Sequence, residues 1–200
     1  MEGIWLRAER QSGGRGRHGR AWISPPGNLH ASTLVRLQAE DPPAPTLALV
    51  AAVTLHEALS PHAPAARIKW PNDLLVDGAK LAGILLERQG EAVIIGFGVN
   101  LAHRPEGLDR PATTVDGAIT PDALLGHLAT GFEAWLARWR AEGVAPVRAT
   151  WLAAAHPIGT PLTTADGEGT FDGLDETGAL RLRLADGTLK IIHAGDVFLL

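Results

Sequence analysis

The last quarter of the chain is divided by closely spaced turn residues, and this feature limits the possible folds most strongly. After residue 157 the pairs Asp166-Gly167, Thr177-Gly178 and Asp186-Gly187 separate short apolar segments. Such pairs favour tight turns between strands and leave no room for a long helix. The region therefore predicts a small all-β barrel. We place a domain boundary before it, which gives a first domain at 1–156 and a second domain at 157–200.

The first domain combines alternating apolar patterns with longer helical patterns. Alternation with a period of two predicts strands, and apolar residues three and four apart predict helices. Asp77-Gly78 between two such strands predicts a tight hairpin. The expected fold class is α+β, with a mixed or antiparallel central sheet packed against helices. The predicted strands are 3–8, 29–37, 66–70, 74–76, 80–86 and 92–101, and the predicted helices are 46–59, 120–143 and 146–155.

The composition excludes several classes of protein. The 200 residues are 46% hydrophobic, which is enough for a buried core and too apolar for a disordered chain. A formal net charge of −4 argues against a general nucleic-acid-binding protein. The chain has no cysteine, and its eight histidines form no H-x-x-x-H pair, so neither a thiolate nor a histidine metal site is expected. The longest apolar run, 47–55, is too short to span a bilayer.

A glycine- and arginine-rich loop is the strongest candidate for a ligand site. Residues 13–20 contain Arg15, Arg17 and Arg20 together with four glycines and no acidic residue. Glycines let the backbone approach an anion closely, and arginines bind phosphate and carboxylate oxygens with two parallel hydrogen bonds. The loop lacks the Gly-Lys-Ser/Thr ending of a P-loop. From the loop alone, a solvated basic loop or a basic patch for nucleic acid is an equal alternative.

Two further segments predict parts of the same site. Lys69 and Lys80 flank the predicted hairpin, so both side chains can point to one end of the sheet and neutralise charge on a phosphate. The alternative is that both lysines are solubility charges on an edge strand, but Gly83 in the following strand indicates that another group comes close there. The segment 96–100 predicts either a bulge or a flat strand surface for a ligand, with Asn100 as a hydrogen-bonding residue.

Taken in order, these segments resemble biotin protein ligases. The matching stretches are 11–22 (QSGGRGRHGRAW), 69–74 (KWPNDL), 80–87 (KLAGILLE) and 96–101 (GFGVNL), while 173–180 and 195–197 are similar to the C-terminal part of the family. The resemblance covers nearly the whole chain from about Gly3 onward. It implies the biotin ligase fold, which is related to class II aminoacyl-tRNA synthetases, with a small C-terminal SH3-like β-barrel.

The resemblance implies a two-step reaction. Biotin and ATP first form biotinyl-5′-AMP and pyrophosphate, and the biotin is then transferred to a lysine of a carrier protein, such as the carrier domain of acetyl-CoA carboxylase. Mg²⁺ is expected to accompany ATP. The implied residues are Arg17, Arg20 and Lys80 for catalysis, Gln11, Gly14, Arg15, Gly16, Arg17, Lys80, Gly83 and Gly96 for biotin, Arg17, Arg20, Trp22, Lys80 and Asn100 for ATP and the adenylate, and Lys69, Asn72 and Asp73 in support.

The chain departs from the family pattern at its beginning. The family carries an Asp-Ser-Thr-Asn-like segment upstream of the glutamine, and none of the ten residues before Gln11 matches it. We therefore expect either a misassigned start or a natural variant with an incomplete biotin pocket. Two other functions stay open: a non-catalytic binding module that kept the ligase fold, and a lipoate or octanoate transferase of the related fold.

The remaining expectations concern partners and location. A short form without a DNA-binding domain is expected, with a biotin carboxyl carrier protein as partner and with neither nucleic acid nor a membrane. Exposed sheet edges near 69–86 would permit a homodimer. The absence of cysteine is compatible with the reducing cytoplasm, which is the expected location.

Overall fold

The structure, a computed structural model, describes residues 2–105 and 110–199, so small parts of both predicted domains lie outside the described residues. Residues 5–154 form six strands and three helices. The strands are β1 (Trp5–Arg7), β2 (Leu29–Arg36), β3 (Arg67–Lys69), β4 (Asp73–Val76), β5 (Ala79–Gln89) and β6 (Ala92–Val99). The helices are α1 (Leu47–Leu59), α2 (Pro121–Glu142) and α3 (Val144–Ala154).

The six strands form one antiparallel sheet in the order β1-β2-β6-β5-β4-β3. The short turns between β3, β4, β5 and β6 explain this, because two-residue and similar connections join antiparallel neighbours. Strand β5 lies inside the sheet between β4 and β6. The expected exposed edge near 69–86 is therefore limited to β3, and β1 forms the opposite edge.

Strand β6 has two different faces. Val93, Ile95, Phe97 and Val99 are buried in the core, whereas the residues between them include Gly96 and Gly98. Pairing with β5 continues regularly through both glycines, so they form no bulge. The core face points to the helices, since the Phe97 ring lies 6.3 Å from the ring of Phe132 in α2. The opposite face of the sheet is left for the functional site.

The helices begin and end at residues with clear local causes. Helix α2 starts where the sequence predicts, because the hydroxyl of Thr120 accepts a hydrogen bond from the Ala123 N–H at 3.3 Å and Pro121 occupies the first turn. It ends before Gly143, whose φ of 78° turns the chain. Helix α3 follows at once from Val144, two residues earlier than predicted, because this glycine alone makes the connection.

The C-terminal region is all-β, as predicted, but its strands do not close into a barrel. They are β7 (Pro161–Thr164), β8 (Gly167–Leu174), β9 (Leu180–Leu184), β10 (Leu189–Ile192) and β11 (Val197–Leu199). All neighbours are antiparallel in the order β10-β9-β8-β7-β11. Within the described residues β10 and β11 do not pair with each other, so the sheet stays open. Strand β11 was not expected from the sequence.

The two sheets share one hydrophobic core. The indole N–H of Trp70, just after β3, donates a hydrogen bond to the Gly178 carbonyl at 3.1 Å. The ring of Trp151 in α3 lies 6.3 Å from the ring of Phe171 in β8. Apolar residues of both sheets and all three helices therefore pack into a continuous cluster. Among the helices that the structure describes, none is both long and apolar enough to cross a membrane.

Candidate active site

Four residues from four neighbouring strands lie in one row across the sheet. The strand register places Asp73 beside Gly83, Gly83 beside Gly98, and Gly98 beside His30. Because side chains alternate along a strand, this row faces away from the core side that Phe97 occupies. The two glycines leave a low floor in the middle of the row, with an acidic side chain at one end and a histidine at the other.

A cavity of about 870 Å³ opens above this floor. It contains every residue that the sequence assigns to the site, although they come from separate segments of the chain. Six cationic and three acidic side chains line it, in a chain whose formal net charge is −4. The predicted residues that line it are Gln11, Gly14, Arg15, Gly16, Arg17, Arg20, Trp22, Lys69, Asn72, Asp73, Lys80, Gly83, Gly96 and Asn100.

The glycine- and arginine-rich loop is an ordered hairpin at the rim of the cavity. Arg15 pairs with Ala21 as an antiparallel bridge, and the Gly16 N–H donates to the Arg20 carbonyl at 2.7 Å. A short turn of 3₁₀ helix, Arg17–Gly19, forms the tip. The hairpin places Arg17 and Arg20 on the same side, because both side chains reach one carboxylate, that of Asp196.

The base of the hairpin is packed too tightly for any side chain at position 14. A Cβ on Gly14 would come within 2.7 Å of Gln11 Oε1 and 2.8 Å of Ser24 Oγ. The Ser24 hydroxyl donates to Gln11 Oε1 at 3.0 Å, which holds the predicted biotin-contacting glutamine against the loop. Glycine at position 14 therefore lets the segments on the two sides of the hairpin base pack closely together. A contact between Gly14 and a ligand stays a prediction.

The indole of Trp22 lies against the glycine floor. A Cβ on Gly98 would come within 2.6 Å of Trp22 Cζ2 and Nε1, and a Cβ on Gly83 within 3.2 Å of Trp22 Cζ3. The group that the mid-strand glycines admit is thus a side chain of the protein itself. Trp22 Nε1 is buried and has no hydrogen-bond partner among the described residues. Because a buried donor without a partner is costly, this N–H is well suited to donate to a ligand.

A buried carboxylate stands between the two predicted lysines. Lys80 Nζ lies 2.6 Å from Asp73 Oδ1, and Lys69 Nζ lies 3.7 Å from Asp73 Oδ2. Lys69 is buried, and burial lowers the pKa of its amine while the Asp73 charge opposes this shift. Lys80 keeps about a third of its side chain exposed and extends over the Trp22 ring, 5.4 Å from the centroid. Of the two lysines, Lys80 is the one that reaches the open cavity.

The two predicted asparagines stabilise the backbone around Lys80. The Asn100 side chain donates to the Lys80 carbonyl at 3.3 Å, and the Asn100 N–H donates to the Leu81 carbonyl at 2.9 Å. The Asn72 side chain donates to the Ile84 carbonyl at 2.6 Å. Both contacts fix the start of β5, where Lys80 and Gly83 lie.

His30 lies at the other end of the row from Asp73. Its Nε2 is 3.1 Å from the Pro25 carbonyl, and burial lowers the pKa of the His30 imidazole.

Three charged residues of the cavity, Asp196, Arg110 and Glu87, were not assigned to the site from the sequence. Asp196 precedes β11 and forms ion pairs with Arg20 at 2.8 Å and with Arg17 at 3.4 Å. Arg110 also lines the cavity, with its guanidinium 4.0 Å from the centroid of the Phe198 ring. The Lys80 N–H donates to the Pro111 carbonyl at 2.9 Å, which places this segment beside β5. Asp196 and Glu87 each lie in a stretch that matches the family, 195–197 and 80–87, and this was the signal that could have found them.

Comparison with known proteins agrees with this geometry. Residues 4–100 match the biotin/lipoate A/B protein ligase family, and residues 163–200 match the biotin protein ligase C-terminal domain. The chain is 42% identical over 215 residues to a biotin–[acetyl-CoA-carboxylase] ligase of Paracoccus denitrificans, covering 97% of this chain and 89% of that relative. It is 35% identical to the bifunctional ligase/repressor BirA of Escherichia coli (strain K12), covering 96% of this chain and 65% of that longer protein.

A solved structure shares the whole fold. The biotin protein ligase from Aquifex aeolicus, in complex with biotin and ATP, superposes with a TM-score of 0.89 at 26% identity, covering 100% of this chain and 90% of that chain. The fold of both sheets, the residues that line the cavity and the sequence identity lead to the same assignment. The chain belongs to the biotin protein ligase family.

Proposed function

We propose that this chain forms biotinyl-5′-AMP from biotin and ATP and then transfers biotin to a lysine of a carrier protein. One observation carries the proposal: Arg17, Arg20 and Lys80 converge on a single cavity whose floor consists of glycines. Two anions, a carboxylate and a triphosphate, must meet in this reaction. A cavity rich in fixed cations offsets their repulsion, which open water or a neutral pocket would not do.

The first step joins the biotin carboxylate to the nucleotide. A carboxylate oxygen attacks the α-phosphorus of ATP, the bond between that phosphorus and the bridging oxygen breaks, and pyrophosphate leaves. Negative charge builds up on the α-phosphate oxygens, where we place Lys80, Arg17 and Arg20 as the catalytic residues. Biotin is assigned to Gln11, the loop glycines Gly14 and Gly16, Arg15, Gly83 and Gly96, and the adenylate is assigned to Trp22 and Asn100.

The second step transfers the acyl group. The amine of the carrier lysine attacks the carbonyl carbon of the mixed anhydride, AMP leaves, and the new amide nitrogen loses a proton. A carrier domain of the acetyl-CoA carboxylase type is the proposed acceptor, since the Paracoccus denitrificans relative is a ligase for that enzyme. Lys69, Asn72 and Asp73 act in support, because they fix the strand that carries Lys80.

Mg²⁺ is proposed to enter with ATP and to be carried by its phosphates. Asp73 is already paired with two lysines and Asp196 with two arginines. Within the described residues no cluster of three histidine or acidic side chains could form a cage. This donor set fits a metal ion held by phosphate oxygens rather than one held by the protein. A bound Mg²⁺ would supply further charge neutralisation at the triphosphate.

We also propose a cytoplasmic protein that requires neither nucleic acid nor a membrane. A homodimer would use the β1 edge of the sheet, where Ile4 and Leu6 are 58% and 69% exposed. Exposed apolar residues on an edge strand favour pairing with another chain. Light scattering of the purified protein, with and without biotin and ATP, measures the oligomeric state directly.

Arg17→Ala and Lys80→Ala test the proposed function. Each should lower the rate of biotin-dependent exchange of pyrophosphate into ATP by about 100-fold or more, because each removes charge where it develops in the transition state. The far-UV spectrum and the unfolding midpoint should stay close to those of the parent, since both side chains are partly exposed. Arg88→Ala is the matched control, because Arg88 is exposed, lies outside the cavity lining and donates to the nearby Gly90 carbonyl at 2.8 Å.

The same assay separates the other functions considered from the sequence. Exchange driven by lipoate and not by biotin would identify a lipoate ligase instead. Calorimetry with biotin and ATP separately, in which biotin binds weakly or not at all, would identify a non-catalytic module with an incomplete biotin pocket. Full activity of both cavity variants would refute the residue assignment even if the enzyme activity is present.

A further inference from the structure

A single carboxylate just before β11 pairs with two of the three arginines of the basic loop. Asp196 Oδ2 lies 2.8 Å from an Arg20 nitrogen, and Asp196 Oδ1 lies 3.4 Å from an Arg17 nitrogen and 3.8 Å from His18 Nε2. Arg17 also donates to the Gly195 carbonyl at 3.0 Å. Burial alone raises the pKa of the Asp196 carboxyl, but the charges of Arg20 and Arg17 outweigh it and hold the pKa below the ordinary value. The carboxylate is therefore ionised near neutral pH.

Asp196 cannot move far from the cavity. The next residue, Val197, is buried, and it begins β11 by pairing with Thr164 of β7. Arg17 and Arg20, by contrast, have long side chains at the tip of a hairpin, and half of the Arg20 side chain is exposed. When a second anion enters, the guanidinium groups can turn toward it while the carboxylate stays in place.

The carboxylate and a phosphate group have the same requirements. Both are planar or compact anions with several acceptor oxygens, and both bind guanidinium groups through paired hydrogen bonds. In the free protein Asp196 therefore satisfies the donors of Arg17 and Arg20 and keeps them over the cavity. It also repels any anion that approaches the same donors, because like charges at this range oppose each other.

We propose that Asp196 is a positioning residue that holds Arg17 and Arg20 in the free protein and yields them to the phosphates of the nucleotide. This rests on the proposed function, which assigns both arginines to ATP and the adenylate. Because phosphate must displace the carboxylate, it binds less tightly than it would bind to Arg17 and Arg20 without this partner. It also favours the release of pyrophosphate and AMP, since the carboxylate takes the arginines back.

Asp196→Asn tests the charge without removing the hydrogen-bond acceptor. Calorimetry with inorganic pyrophosphate, in low-salt buffer without phosphate or sulfate, should show binding about 3- to 10-fold tighter than in the parent, the size expected for one partly exposed charge. In turnover with biotin and ATP, the KM for ATP should fall and kcat should fall with it, because product release becomes slower. Asp196→Ala, which also removes the acceptor, should bind pyrophosphate less tightly than Asp196→Asn.

Asp172→Asn is the matched control. Asp172 also joins two arginines of the C-terminal sheet, Arg181 at 2.8 Å and Arg183 at 3.1 Å, but it does not line the cavity. Its pyrophosphate affinity, KM and kcat should equal those of the parent. Unchanged or weaker pyrophosphate binding by Asp196→Asn, or the same change in Asp172→Asn, would overturn the proposal. Pyrophosphate binding needs neither biotin nor a carrier, so a failure of the proposed function leaves this measurement intact.

Discussion

Alanine at position 98 should disturb the candidate site more than its single added methyl group suggests. The new Cβ would come within 2.6 Å of Trp22 Cζ2 and Nε1, which is closer than real Cβ contacts. The strand cannot shift away, because Gly98 pairs with Gly83 on one side and His30 on the other. The rigid indole must move instead. We therefore expect Gly98→Ala to act mainly by displacing Trp22.

The cost follows from what Trp22 is attached to. Overpacking of this kind destabilises proteins by about 1–3 kcal/mol. The Trp22 backbone N–H donates to the Gly14 carbonyl at 2.9 Å, so a displaced indole also moves the hairpin that carries Arg17 and Arg20. A misplacement of about 1 Å in such groups can lower a rate about 100-fold. We expect biotin-dependent pyrophosphate exchange to fall by about 10- to 100-fold, with a loss of about 1–3 kcal/mol in the free energy of unfolding.

The same substitution at two other glycines provides controls for the expected effect of Gly98→Ala. Gly126 is exposed on α2, and a Cβ there meets nothing within 4 Å. Gly126→Ala should therefore raise the free energy of unfolding by up to about 1 kcal/mol and leave exchange unchanged. At Gly83 the nearest atom is the flexible end of Lys80, 3.1 Å from the position that a Cβ would take, so Gly83→Ala should destabilise less than Gly98→Ala.

A double-mutant cycle decides whether the indole is the cause. In a Trp22→Ala background the destabilisation by Gly98→Ala should fall close to zero, because the atoms that it would meet are gone. Equal destabilisation with and without the indole would refute the steric reasoning. So would a Gly98→Ala protein with the stability and exchange rate of the parent.

Two further predictions concern stability. Burial lowers the pKa values of His30, His56 and His156 below their ordinary 6.5, so the unfolded chain binds more protons just below pH 6.5. The free energy of unfolding, measured in urea, should therefore be lower at about pH 5.5 than at about pH 7.5. Equal free energies of unfolding at these two pH values would contradict the prediction. Asn28→Ala should cost about 3 kcal/mol, because Asn28 Oδ1 accepts from three backbone N–H groups at 3.0 Å each. Asn28→Asp keeps that acceptor but replaces the side-chain N–H that donates to the His103 carbonyl at 2.7 Å by an oxygen, so it should also destabilise the fold in the same unfolding measurement, and an Asn28→Asp protein as stable as the parent would contradict this reasoning.

Local patterns were enough to predict most helices and strands, while most residues of the candidate site came from the resemblance to the family. The helix from Thr120 and the hairpin at Asp77-Gly78 depend on neighbouring residues, so their signals are complete in the sequence. The site residues lie in four short stretches. Strict alternation would put Lys80 and Gly83, which are three residues apart, on opposite faces of β5. They meet on one face, where a Cβ on Gly83 would lie 3.1 Å from Lys80 Nζ, beside an irregular β4–β5 register between Leu74 and Leu75 that no local pattern indicates. The roles assigned to the site residues still rest on the resemblance to the family.

Contacts between distant segments could not be predicted in this way. Asp196 contacts Arg20, which lies 176 residues earlier in the sequence, and the residues next to either one do not predict this contact. The same holds for Trp22 and Gly98, where the glycine indicated a close approach but not which group approaches. Closure of the C-terminal barrel likewise depends on how β10 and β11 pair, which turn residues between other strands do not determine.

Strand β6 also determines how the cavity can be redesigned. Its core-facing residues, such as Ile95 and Phe97, can be exchanged for others of similar total volume at a cost in stability alone. Its cavity-facing glycines have no side-chain volume left to remove. A larger acyl group would therefore have to be accommodated by trimming the walls at Leu85 or Ile94, while the floor stays as it is.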